Sequence, residues 1–171
     1  PNGAVPRRQL DIARKLGVHG LEEHTTHLTT LDMVEANDLI LAMSRGHRKR
    51  LMQLEPSSTR RTFTIREFAR LAPLVTSEDV EALIEKTGSP LRAAVAAVAQ
   101  KRGFLPPPKT GDELDVVDPY KQSRATYRLS RDQLLPAAQV TAEFLDSIVQ
   151  IFGTQEQVVE PEVALPETSP T

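Results

Sequence analysis

Apolar residues along this chain fall into two short β-like segments and several stripes of helical period. The run 38–43, Asp-Leu-Ile-Leu-Ala-Met, is too short for a helix and is typical of a strand buried in a parallel sheet. Ser44 follows as a helix N-cap, and the helix that it opens is expected to end near Glu55-Pro56. Residues 61–65, Arg-Thr-Phe-Thr-Ile, alternate and are rich in β-formers. Strand, helix and strand in this order predict a βαβ crossover, and therefore an α/β fold.

In most of the remaining segments, apolar residues recur with the period of an α-helix. Gly17 is expected to stop the first helix, Ser77 to cap a middle one, and Pro136 to be the first residue of the last, which runs to Phe152. The buried face of that last helix is expected to be Ala138, Ala142, Leu145, Ile148, Val149 and Phe152. Residues 103–110 contain three consecutive prolines and are expected to form a loop. The predicted helices are 7–16, a short one from Thr30 to about Ala36, 44–54, 66–71, 77–86, 91–102 and 136–152.

Composition separates a folded body from a tail. Of 171 residues, 39% are hydrophobic and 26% are charged, as in ordinary globular proteins. Residues 153–171 carry four acids, no base and three prolines, which predicts a disordered acidic tail. The domain boundary is therefore predicted between an α/β body at 1–152 and a tail at 153–171.

Charge and residue usage exclude several kinds of site. The net charge of −2 is due to the acidic tail, so the nearly neutral body predicts no nucleic-acid or membrane partner. The chain has no cysteine, which excludes disulfides, cysteine zinc sites and thiolate catalysis by these residues. The four histidines show no metal-binding spacing, and there is no glycine-rich nucleotide loop. We therefore expect no metal and no cofactor.

Five segments in order resemble the low-molecular-weight protein-tyrosine phosphatases, in an actinobacterial-like style. They are 6–18 (PRRQLDIARKLGV) continuing to His24–Leu28, 35–43 (EANDLILAM), the helix start Ser44-Arg45-x-His47-Arg48, 61–68 (RTFTIREF), and Asp118-Pro119-Tyr120 with Tyr127 downstream. The resemblance covers about residues 6–152. It implies a three-layer, flavodoxin-like parallel sheet of order 2-1-3-4, of which this chain holds the third and fourth strands. The family's phosphate-cradling loop, Cys-x5-Arg, and the first two strands are absent, which predicts an incomplete phosphatase domain.

The resemblance also assigns roles to two residues. Asp118 matches the general acid, which protonates the departing tyrosyl oxygen and then activates water against a phosphocysteine intermediate. Tyr120 matches an aromatic wall for the substrate ring. The implied function is a cytoplasmic hydrolase acting on a phosphotyrosine-containing protein or a small phosphate ester. Without the nucleophile, we expect no activity from these 171 residues alone.

The same residues also have simpler structural interpretations. Asp-Pro is a common turn, so Asp118 is also expected as a turn residue, and Asp112 and Asp115 as solvated loop charges. Tyr127 is expected to pack within the body. The alternative function is a non-catalytic, phosphatase-like binding module that keeps the acid loop and the basic helix after Ser44 as a docking surface.

Overall fold

The computed structural model describes residues 3–153, so the predicted tail lies outside the described residues except for Gly153. The described chain divides into two compact units, the first ending at Asn37 and the second beginning at Asp38. Within residues 3–153, no helix combines the length and the apolar character needed to cross a membrane.

The first unit is small and contains two helices and a two-stranded ribbon. Strands β1 (Gly3–Ala4) and β2 (Thr25–Thr26) pair antiparallel, which the sequence did not predict. Helix α1 (Arg7–Lys15) is followed by Gly17 in the left-handed region, with φ of 75°, which confirms glycine as the stop signal. Helix α2 (Leu31–Glu35) begins after Thr30, whose side chain accepts a hydrogen bond from the backbone N–H of Met33, as predicted.

The second unit contains the predicted βαβ crossover. Strand β3 (Ile40–Ala42) pairs parallel with β4 (Thr62–Thr64), and helix α3 (Arg45–Leu54) connects them. The Ser44 hydroxyl accepts the N–H of His47, which confirms this residue as the N-cap. Both strands are shorter than predicted because Met43 pairs with a loop residue and β4 passes directly into a helix. The fold is thus mixed α/β, and its parallel sheet has two strands within residues 3–153.

The remaining helices are α4 (Ile65–Leu71), α5 (Ser77–Thr87), α6 (Pro90–Gln100) and α7 (Arg124–Phe152). The prediction of Ser77 as an N-cap was wrong. Thr76 is the cap, because Asp79 stands three residues after it and completes a capping box with its backbone and side chain. Residues 103–110 form no helix, as predicted, and a 3₁₀ turn follows at Gly111–Leu114.

The predicted start of the last helix was also wrong. Helix α7 begins at Arg124 after a Ser123 cap, and Pro136 lies inside it. A proline inside a helix costs about 3 kcal/mol because it removes a hydrogen bond and crowds the preceding turn. Buried residues on both sides of the proline, Tyr127 before it and Thr141 after it, anchor the two halves and offset that cost.

The core of the second unit lies among the sheet, α4, α6 and α7. The ring of Phe68 on α4 makes edge-to-face contacts with Phe63 of β4 (centroids 5.2 Å apart) and with Phe144 of α7 (5.9 Å). Val98 of α6 is fully buried in the same cluster. These contacts hold α4 between the sheet and the long helix.

One part of the predicted buried face of α7 is exposed. Ile148 and Phe152 are buried, but Ala142 is exposed and Val149 retains 51% of its accessible surface. Val149 lines an open apolar groove of about 620 Å³ with Leu39, beside β3, and Leu91 of α6. The helix is therefore apolar over a wider arc than the described residues cover.

Candidate functional site

The segment that leads into Asp118 crosses the carboxyl ends of both parallel strands. The backbone N–H of Val116 donates to the carbonyl oxygen of Met43, one residue beyond β3, at 2.8 Å. Arg66, in the first turn of the helix after β4, donates to the carbonyl oxygens of Asp112 (3.2 Å) and Asp115 (2.8 Å). Ligands of open α/β sheets bind in the crevice outside this edge. We name residues 111–120 the acid loop.

Asp115 fixes the acid loop to the start of α3. Its carboxylate accepts the backbone N–H of Arg45 at 2.7 Å and the Nε of the same residue at 3.3 Å. A carboxylate at a helix N-terminus is stabilised by the free N–H groups and by the helix dipole. The prediction of Asp115 as a solvated charge was therefore wrong. No local signal reveals this role, because the two partners lie 70 positions apart in sequence.

Gly111 gives the Arg45 side chain its room. A Cβ atom at this position would overlap the guanidinium group of Arg45, which lies directly against the glycine backbone. Arg45 also lies 3.9 Å from a carboxylate oxygen of Asp112, which is almost fully exposed. A side chain at residue 111 would require the Arg45 guanidinium to shift, which a flexible arginine side chain can do at little cost.

Asp118 lies two residues beyond the Val116 contact, on the exposed part of the loop. Its carboxylate oxygen Oδ1 accepts the backbone N–H of Tyr120 at 2.9 Å, which closes a turn around Pro119. A second turn follows, in which the N–H of Gln122 donates to the carbonyl of Pro119, with Lys121 at φ of 57°. The turn reading of Asp118 is thus confirmed, and it leaves the carboxylate on the surface.

Tyr120 lies beside Asp118 and is exposed. It retains 56% of its accessible surface, and the Lys121 ammonium lies 5.2 Å from the centre of its ring. Tyr127, in contrast, is buried in the first turn of α7, where it was predicted to pack. The structure therefore brings the two predicted site residues, Asp118 and Tyr120, to the same exposed turn.

Two further contacts hold the loop to the helices around it. The backbone N–H of Val117 donates to the side-chain oxygen of Gln133 on α7 at 2.8 Å, and Val116 is buried beside Ile65 and Ala137. Asp118 thus follows directly after a well-packed segment. Among residues 3–153, no group of three or more histidine, aspartate or glutamate side chains is arranged to hold a metal ion.

Comparison with known proteins adds no relative: no protein-family model matches the chain, and neither the curated proteins nor the solved structures contain a match.

Proposed function

We propose that this chain supplies the acid loop and part of the sheet of a phosphotyrosine protein phosphatase, with Asp118 as the general acid. The observation that supports the proposal most directly is the attachment of the acid loop across the carboxyl ends of β3 and β4. Val116, Arg66 and Asp115 each fix it there. A reacting phosphate in such a fold lies outside that edge of the sheet, which is where Asp118 emerges.

The proposed chemistry divides into two displacement steps. A cysteine thiolate from outside these residues attacks the phosphorus atom, and the P–O bond to the tyrosyl oxygen breaks. The Asp118 carboxylic acid gives its proton to that leaving oxygen. As a carboxylate, Asp118 then takes a proton from water, whose oxygen attacks phosphorus and releases the thiolate and inorganic phosphate.

Tyr120 is the proposed substrate contact. Its exposed ring, two residues from the acid, offers a flat apolar face for the phenyl ring of a phosphotyrosine or an aryl phosphate. The proposed partner is therefore a cytoplasmic phosphotyrosine protein or a small phosphate ester.

The proposed fold is the three-layer flavodoxin-like sheet, in which β3 has a strand on both sides. Two observations support it. The parallel sheet has two strands within residues 3–153, whereas sheets of about four to six strands are the commonest. The groove of Leu39, Leu91 and Val149 reaches the residue that precedes β3, and a further buried strand would pack against such an apolar surface.

The test uses leaving-group dependence, because an acid matters most when the departing oxygen is a poor leaving group. In the protein extended by a segment that carries the nucleophile, Asp118→Asn should lower kcat/KM for phenyl phosphate by roughly 10²–10⁴-fold. The ratio kcat/KM reports the steps up to release of the phenol, whereas kcat also includes hydrolysis of the phosphocysteine, which is the same for every substrate. The loss should be much smaller for p-nitrophenyl phosphate, whose phenolate leaves more readily. Asp112→Asn is the matched control, since Asp112 is in the same loop and almost fully exposed.

Two outcomes would refute the assignment. Equal rates for Asp118→Asn and Asp112→Asn would remove Asp118 from the chemistry. Hydrolysis by residues 1–171 alone would show that a different nucleophile exists, because this chain contains no cysteine.

A second candidate is a non-catalytic binding module. The exposure of Tyr120 beside Lys121, in a chain without cysteine, favours it. Binding of a phosphotyrosine peptide to residues 1–171, abolished by Tyr120→Ala, would support this candidate.

A further inference from the structure

We propose that the second unit contains a separate site for a small dianionic ligand, a phosphate monoester with a compact apolar group. The site, named here the arginine pocket, is a cavity of about 220 Å³ between α3, α4 and the loop after α6. Arg48, Arg70 and Arg102 line it with Glu67, and Leu105 and Pro106–Pro108 form its wall. Neither Asp118 nor Tyr120 lines it, so the proposal does not depend on the phosphatase assignment.

The arginine pocket has more positive than negative charge. Glu67 is the one acid that lines it, against three guanidinium groups. Its carboxylate oxygens lie 2.9 Å from the Nε of Arg102 and 3.6 Å from the Nε of Arg48. One carboxylate compensates one of the three cations, which leaves an excess of two positive charges around a partly enclosed space.

Each nitrogen of the Arg102 guanidinium group donates a hydrogen bond to a protein acceptor. Its two Nη atoms donate to the carbonyl oxygens of Thr59 (3.0 Å) and Thr62 (2.8 Å), and its guanidinium lies 4.1 Å from the centre of the Phe63 ring. Burial lowers the pKa of Arg102, Glu67 counteracts this, and the positive charge of Arg48 lowers it further. Burial and the neighbouring Arg48 therefore make the positive charge of Arg102 costly. An anion in the pocket would stabilise that charge.

Arg48 and Arg70 supply the donors for a ligand. Arg48 uses its Nε to donate to the carbonyl oxygen of Thr62 at 3.1 Å. In the part of the chain that the structure describes, the Nη groups of Arg48 and the whole guanidinium of Arg70 have no acceptor. Guanidinium groups bind phosphate oxygens in pairs of parallel hydrogen bonds, and two such groups match the charge of a phosphate monoester.

The wall defines the rest of the ligand. Leu71, Leu105 and Pro106–Pro108 present apolar surface, and consecutive prolines hold their backbone in restricted conformations. The cavity is smaller than the roughly 300–1,000 Å³ of sites for drug-sized ligands. A phosphate with one small apolar or aromatic group suits both its volume and its lining.

The experiment is an NMR titration of residues 1–171 with phenyl phosphate at neutral pH, observing backbone amides and arginine Nε–Hε signals. Signals of Arg48, Arg70 and Leu105 should shift together and give a single Kd. Arg70→Gln should raise that Kd at least roughly tenfold, as expected for the loss of one charge-assisted contact. Arg50→Gln is the matched control, because Arg50 is an exposed arginine of α3 outside the pocket lining.

A second ligand tests the charge argument. Methyl phenyl phosphate has a similar apolar group but a single negative charge, and its Kd should be at least roughly tenfold higher than that of phenyl phosphate. Far-UV circular dichroism and thermal melting verify that Arg70→Gln folds normally.

Three results would overturn the proposal: absence of shifts at Arg48 and Arg70, equal Kd values for Arg70→Gln and Arg50→Gln, or equal Kd values for the monoester and the diester. Shifts confined to residues 118–120 would instead place phosphate binding at the acid loop.

Discussion

Glu67 is the residue whose replacement tests the architecture most directly. It is the third residue of α4, where its Oε2 accepts the backbone N–H of Thr64 at 3.3 Å in a capping box. Its Oε1 accepts the Nε of Arg102, just beyond the end of α6. The adjacent Lys101 makes the same kind of contact with Asp79, the third residue of α5, at 2.6 Å. The C-terminal end of α6 is thus joined to the beginnings of two helices by neighbouring ion pairs.

We predict that Glu67→Gln lowers the free energy of unfolding by about 2–3 kcal/mol. Glutamine keeps the shape of the side chain and one acceptor, but it removes the charge that faces Arg102 and Arg48. The Glu67 side chain is 13% exposed and that of Arg102 is 25% exposed, so water can solvate the guanidinium group that loses its carboxylate partner only weakly. Breaking a fully buried pair costs about 3–5 kcal/mol, and the partial exposure and the remaining acceptor reduce this value. For a chain of this length the melting temperature should fall by roughly 4–12 °C.

The assay is urea unfolding followed by far-UV circular dichroism, with thermal melting as a second measurement. Glu85→Gln is the matched control, because Glu85 is an exposed glutamate on α5, and its free energy of unfolding should change by less than about 0.5 kcal/mol. If the two variants unfold at the same urea concentration, the contacts of Glu67 do not stabilise the fold and the reasoning fails.

Two further predictions concern the exposed groove and the Lys101 pair. Val149→Lys should leave the melting temperature nearly unchanged, because Val149 lies half exposed in an open groove; a large fall would show that its side chain packs against another part of the chain. The side-chain hydrogen bond from Lys101 is the largest cause that lowers the pKa of Asp79. The contribution of this ion pair to the free energy of unfolding is therefore complete above the unfolded-state pKa of about 3.9, and it is lost as pH falls through the folded-state pKa. Lys101→Met should raise the pKa of Asp79 in an NMR titration, and an unchanged value would contradict this cause.

Local signals in the sequence were enough to predict most of the elements. Ser44 and Thr30 have the side-chain chemistry of N-caps, and both cap the predicted helices. The helix start was predicted at Pro136 because proline is common at the first position of a helix. In the structure, buried residues on both sides of Pro136 stabilise a continuous helix. Propensity is a local quantity, and tertiary packing overrides it where enough side chains are buried.

The candidate site divides in the same way between local and distant contacts. The turn at Asp118 involves residues two positions apart, so Asp-Pro alone predicts it. The position of that turn depends on Asp115 with Arg45 and on Arg66 with the loop carbonyls, pairs separated by 70 and 49 positions. A single sequence contains no signal for such pairs, because every loop aspartate and surface arginine is an equally good candidate.

The segment Phe63–Phe68 makes both local contacts and contacts with residues distant in sequence. Phe63 and Phe68 pack against each other in the core, and Thr64 between them ends β4 and caps α4. Arg66 then reaches the acid loop, while Glu67, the next residue, reaches Arg102 and the arginine pocket. Neighbouring positions in one helical turn point in different directions, so a single well-anchored turn can support two separate surfaces. The acid loop and the arginine pocket therefore share a structural support at α4, and Leu114 of the acid loop also lines the pocket.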